Sequence, residues 1–192
     1  MPVVDLLSGI PPVLFGVWGV LFIIPLIQDH IAPNFVENSA GYSVLAGGIV
    51  LAIMIFPLLI TLFLEVFSAV PRDMLNASLS LGATPWQTVK KVLLKKAMPG
   101  MIASTVLAIS RAFGETIAVL MVCGGNVPGI PHLVFDSGYP LPVLIANNFG
   151  ETFSIPLYDS ALLFAALLLF VIIFIFNAVS RIILVRVKRK IE

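Results

Sequence analysis

Four apolar runs, at about residues 13–27, 44–64, 100–122 and 157–180, constrain this chain more than any other feature of it. Runs of this length bury in hydrocarbon, where backbone amides and carbonyls must satisfy each other within helices or a closed barrel. A barrel would alternate apolar and polar residues, and these runs do not. An all-α, polytopic membrane protein with about four transmembrane helices follows, as a single domain over residues 1–192. Composition agrees, since 59% of the 192 residues are hydrophobic and 11% are charged. The first run is short for a span and could begin at Leu6, with Pro11 and Pro12 near its start, while Pro57 should kink the second.

Charge gives the orientation. The links at 28–43 and 123–156 contain Asp29, Glu37, Asp136 and Glu151 but no Lys or Arg. Every basic residue except Arg111 lies in the 65–99 link (Arg72, Lys90, Lys91, Lys95, Lys96) or the tail at 181–192 (Arg181, Arg186, Lys188, Arg189, Lys190). By the positive-inside rule those two segments and the N-terminus face the cytoplasm. His30 and His132 read as ordinary loop histidines. The single Cys123 can form no internal disulfide and has no neighbouring metal ligands in sequence. The opening "MPVVDLLSGIPP" lacks the basic region of a cleavable signal.

Within the third run, a helical wheel places Ile102, Val106, Ile109, Phe113, Ile117 and Leu120 on one side. Gly100, Ser104, Ala108, Arg111, Glu115 and Ala118 fall on the other. The small face should meet protein and the bulky face lipid. An Arg at mid-membrane costs roughly 2.5–3.5 kcal/mol even on insertion scales, so Arg111 should point into a bundle or a wet cavity. Two accounts of Arg111 and Glu115 stay open. They neutralise each other across one helical turn and lock the helix in register, or Arg111 supplies positive potential along an anion path, with Glu115 holding or gating it.

The 65–99 link is punctuated as a helix, a turn and a helix. Asp73 can cap a helix running to Leu81, and Gly82 suits a left-handed stop. Thr84, Pro85 and Gln87 form a capping-box pattern for a second helix, with Trp86, Val89, Leu93 and Ala97 on one face and Lys91 and Lys95 opposite. Such a pair could rest on anionic lipid or dock a cytoplasmic partner.

The run "NASLSLGATPWQTVKKVLLKKAMPG" (76–100) resembles the cytoplasmic loop of ABC importer permeases, Glu-Ala-Ala, three residues, Gly, nine residues, Ile-x-Leu-Pro. Ala77, Gly82, Val92 and Leu94 match in spacing, while Asn76, Ser78 and Lys95 depart from the pattern. "LLSGIPPVLFGVWG" (6–19) and "RAFGETIAVLMVCGGN" (111–126) are similar to the phosphate permeases of that group, of the PstC type. Sulfate permeases share the Arg-x-x-Gly-Glu core, and Thr116 with "AVLMV" and Asn126 separates the two.

The resemblance implies a type I ABC importer permease (MetI-like) in a prokaryotic inner or plasma membrane. It implies phosphate as the substrate, moved by alternating access. The implied partners are a second permease subunit, a dimer of ATP-binding subunits and an external phosphate-binding protein, with lipid around the spans and no nucleic acid. Asn76, Ala77, Ser78, Gly82, Ala83 and Trp86 would form the ATPase-coupling loop, and Arg111, Glu115 and Thr116 would line the path. Such permeases carry about six spans, of which this chain would hold the last four. The residues themselves argue against the motor, since no G-x-x-x-x-G-K-[ST] loop is present; the resemblance implies ATP and Mg on the partner ATPase, and this chain is expected to bind no cofactor. No Ser-His-Asp set or metal cluster is written in the sequence, so the chain is not expected to be an enzyme. A permease for sulfate or molybdate, or a non-transporting membrane anchor for a cytoplasmic enzyme, are the rival readings.

Overall fold

A computed structural model of the chain describes residues 9–36, 39–125, 130–149 and 156–191. Seven helices make up the described residues. α1 spans Pro12–Asn34 and contains π-helical turns at Gly19–Ile23 and Ile27–Ile31. α2 is Val44–Ser68, α3 Arg72–Ser80, α4 Pro85–Phe113, α5 Ile117–Cys123, α6 Leu141–Asn148 and α7 Pro156–Ile191. Four of them, α1, α2, α4 and α7, are long and apolar enough to cross a membrane.

α4 and α7 pack antiparallel. Ser180 Oγ donates to Ala103 O at 2.7 Å and Ser110 Oγ donates to Ile173 O at 3.4 Å, so each serine hydroxyl is satisfied by the facing backbone. Phe113 meets Phe176 at the far end, ring centroids 5.2 Å apart. Of the small face that the wheel names, Gly100, Ser104 and Ala108 are buried, with Ala103 beside them, and Arg111 is exposed; of the bulky face, Ile102, Ile109 and Phe113 are exposed. At Gly100 a β-carbon would stand 2.7 Å from the Val66 side chain, so the α2–α4 crossing depends on its absence.

A second core joins α1, α2 and α5 through Ile23, Ile27, Val50, Val119 and Val122. Gly19 of α1 lies against Val50 and Val122, and Gly16 lies against Ala118 and Met121. These contacts set the depth of α1. Its first turn is level with the start of α5, and its second half reaches the approach to α2, where Ile24 meets Gly41. This end is tied by backbone bonds, Val44 N to Asp136 O at 3.0 Å and Gly138 N to Cys123 O at 3.0 Å, and by Ser43, which caps α2 through Ala46 N.

Three local expectations change. The third run is not one helix: α4 ends at Phe113, and Gly114, Glu115 and Thr116 separate it from α5. The second cytoplasmic helix is not separate from that span, because α4 continues unbroken from Pro85 through a π-helical turn at Val89–Leu93. Asp73 does not cap α3. Pro71 holds the N-cap position and Asp73 lies in the first turn, where a carboxylate still favours the positive helix end. The capping box at Thr84 and Gln87 is present with both of its hydrogen bonds, 3.0 and 3.3 Å. Glu37, Asn126 and Glu151 lie outside the described residues.

Candidate functional site

The break after α4 is built from its own residues. Gly114 N donates to Arg111 O at 3.2 Å and Glu115 N to Ala112 O at 3.1 Å, closing the last turn of α4. Thr116 Oγ1 donates to Gly114 O at 3.4 Å. The Glu115 carboxylate turns forward, and Oε1 accepts from Ala118 N at 3.4 Å at the start of α5. This anion therefore serves an otherwise unpaired amide and the positive end of α5.

Glu115 thus does not face Arg111 as an i, i+4 neighbour would, because the helix that would align them stops between them. Among the described residues the Arg111 guanidinium makes no ion pair and no side-chain hydrogen bond. Both side chains line a cavity of about 50 Å³ together with Ile10, Pro12, Phe15, Met54, Ile55 and Leu58. Arg111 is exposed at its edge and Glu115 half-buried.

The depth of this cavity follows from α7. Ser110 is level with Ile173, which lies about 12 Å along α7 from Arg181, the first basic residue of that helix, and about 25 Å from its outer end. Arg111 therefore lies between the ends of the apolar helices, well away from either. Two chain irregularities meet there, the Gly9–Pro11 approach to α1 and the 114–116 break, on the side of α2 where Pro57 interrupts its ladder. Non-helical backbone at such depth is stable only when it is buried in protein or lines a hydrated cavity. Ile10, Pro12, Phe15, Met54, Ile55 and Leu58 were not evident from sequence. The "GIPP" run, two prolines in an apolar segment, was the signal for the first of them.

The turn between α3 and α4 is compact. Gly82 adopts φ +83°, the left-handed stop expected of it, with open space where a β-carbon would stand. Ala83 N donates to Ser78 O at 3.2 Å, and the Ser78 and Thr88 hydroxyls share a hydrogen bond of 3.0 Å that fastens α3 to α4. Asn76, Ala77, Gly82 and Trp86 are exposed and Ala83 half-buried. Three large apolar side chains stand in solvent around the turn, Leu79, Leu81 (89% exposed) and Trp86 (72% exposed). Of the face that the wheel names, Ala97 is buried and Val89 and Leu93 are half-buried, while Trp86, in the first turn of α4, is exposed.

Comparison with known proteins accords with this arrangement. The chain is 37% identical over 180 residues to the probable ABC transporter permease protein YqgH of Bacillus subtilis, covering 94% of this chain and 56% of that protein. It is 32% identical over 201 residues to the phosphate transport system permease protein PstC of Pasteurella multocida, with 97% and 62% covered. To the probable phosphate transport system permease protein PstC of Methanocaldococcus jannaschii it is 34% identical over 187 residues, with 92% and 59% covered. The chain thus spans about three fifths of the length of these relatives. No solved structure matches it. Residues 1–189 match the family described as binding-protein-dependent transport system inner membrane component, and with four helices long and apolar enough to cross a membrane the chain belongs to that family.

Proposed function

We propose that this chain is the transmembrane subunit of an ATP-driven phosphate importer, and that Arg111, Glu115 and Thr116 belong to its anion path. The observation that carries the reading is the Arg111 guanidinium, unpaired among the described residues, at a mid-membrane cavity where two backbone irregularities meet. A phosphate ion crossing hydrocarbon needs compensating positive charge, and a planar set of donors can follow its oxygens through successive positions. Glu115 keeps α5 capped beside the path and is near enough in sequence to engage Arg111 when the anion leaves. The relatives named for phosphate transport support the choice of ion.

The exposed Leu79, Leu81 and Trp86 around Gly82 support a docking role for the loop. In this reading two ATPase subunits bind ATP and Mg, close, and move α3. The unbroken α4 then carries that motion from Trp86 to Arg111. A second permease and an external phosphate-binding protein complete the assembly, and the loop and both termini face the cytoplasm.

Uptake assays on complexes carrying the full-length subunit test this. Arg111→Lys should assemble and transport poorly, because an ammonium offers a compact point charge with different reach. Arg111→Leu with Glu115→Leu should assemble, hydrolyse ATP and move little phosphate. Near-normal uptake by that double variant would refute the path, and sulfate or molybdate outcompeting phosphate in the wild type would refute the choice of ion.

A further inference from the structure

A second concavity lies on the other side of α4, well below Arg111. It is an open groove of about 420 Å³ between Phe63 of α2 and Leu94, Met98, Met101, Ile102 and Val106 of α4. Its lining is apolar. The one hydroxyl in it, Thr105 Oγ1, is turned back to Met101 O at 2.9 Å, so the groove offers hydrocarbon and no free donor. Met98 and Ile102 are 56% and 52% exposed.

The cytoplasmic end of the same helix face is cationic. Lys95 stands two turns before Ile102, and Lys91 one turn further down, both exposed. The nearest acidic residue on α2, Glu65, is about 200° round that helix from Phe63 and faces away from the groove. The Ala103–Ser180 contact places Lys95 at about the depth of Arg186 on α7, the level at which basic side chains flank the membrane.

We infer that this groove binds an inner-leaflet phospholipid with an anionic headgroup. One acyl chain lies along Met98 and Ile102, and the phosphodiester is held by Lys91 and Lys95. The charge complementarity selects this occupant. A further protein span would have to bring its own carboxylates to the same depth, and a zwitterionic lipid would present a cation to the two lysines. Flexible methionines suit a chain of variable length and unsaturation. The inference does not depend on which ion the protein moves.

The test uses the full-length subunit in its assembled complex, in nanodiscs carrying trace phosphatidylglycerol or phosphatidylcholine with a diazirine in the acyl chain. Phosphatidylglycerol should label the peptide containing Met98–Ile102 in preference to phosphatidylcholine. Each lysine near the surface contributes about 1 kcal/mol. Lys91→Gln or Lys95→Gln should therefore lower that preference about fivefold, and the pair about thirtyfold. Lys91→Arg with Lys95→Arg should restore it. Ile102→Trp, which fills the groove, should abolish labelling while the lysines remain. Equal labelling by the two lipids, unchanged preference in the double Gln variant, or crosslinking of this peptide to another span or subunit in place of lipid would each overturn the proposal.

Discussion

Glu115 both caps α5 and lines the cavity beside Arg111. Its Oε1 accepts from the backbone amide of Ala118, a fully buried residue at the start of α5. A buried amide left unpaired costs about 1–3 kcal/mol. Glu115→Ala should therefore lower the thermal stability of the assembled complex, while Glu115→Gln, whose amide oxygen can still accept, should leave it close to wild type. Measured side by side, the two variants separate capping from charge. Equal melting temperatures would mean that the Ala118 bond contributes nothing. That Arg111 should sit at a cavity was legible from its cost in a membrane, but its relation to Glu115 was not. Four-residue spacing means adjacency only if the helix continues, and three residues of broken backbone remove that premise.

At the level of elements, local chemistry was readable where a residue type has few alternatives. Gly82 at φ +83° and the Thr84–Gln87 box are of this kind, and both appear as the sequence predicts. The 114–116 break was hidden because burial keeps its phase across it. Ala118 is buried and Ile117 exposed, as an unbroken wheel would also place them. The starting depth of α1 was equally hidden, since it follows from glycines of one helix meeting side chains of others. Gly82 now permits a sharper experiment than a single substitution. No atom lies near its absent β-carbon, so the cost of replacing it is conformational, about 1–2 kcal/mol for an ordinary residue and less for Asn. Gly82→Asn should keep ATPase binding and phosphate uptake, whereas Gly82→Glu, which sets a charge among Leu79, Leu81 and Trp86, should insert normally and lose both. If Gly82→Glu copurifies with the ATPase and transports normally, the loop is not the docking surface.

The whole molecule is organised by depth. Exposed carboxylate and histidine side chains such as Asp29, His30 and His132 gather at the end where α1, α2 and the 130–140 segment meet. The lysines and arginines other than Arg111 lie toward the other end, on α3, the first part of α4 and the last turns of α7. Because α4 and α7 are antiparallel and in register through Ser180 and Ser110, the basic ends of both helices reach one side of the membrane together, and a reversed insertion would have to carry all of them across. The orientation can be read with single cysteines in a Cys123→Ala background, placed where the side chain is exposed and makes no structural contact. His30→Cys and His132→Cys should react with an impermeant thiol reagent added to sealed cells. Leu81→Cys, at the most exposed apolar position of the loop, in cells expressing the full-length subunit without the ATPase, should stay unlabelled until the membrane is permeabilised and then react fully. The permeabilised arm shows that silence at Leu81 reflects sidedness and not burial under a partner subunit. Labelling of Leu81→Cys in sealed cells, with His30→Cys and His132→Cys protected, would invert the molecule and place the docking loop on the wrong side of the membrane for any cytoplasmic ATPase.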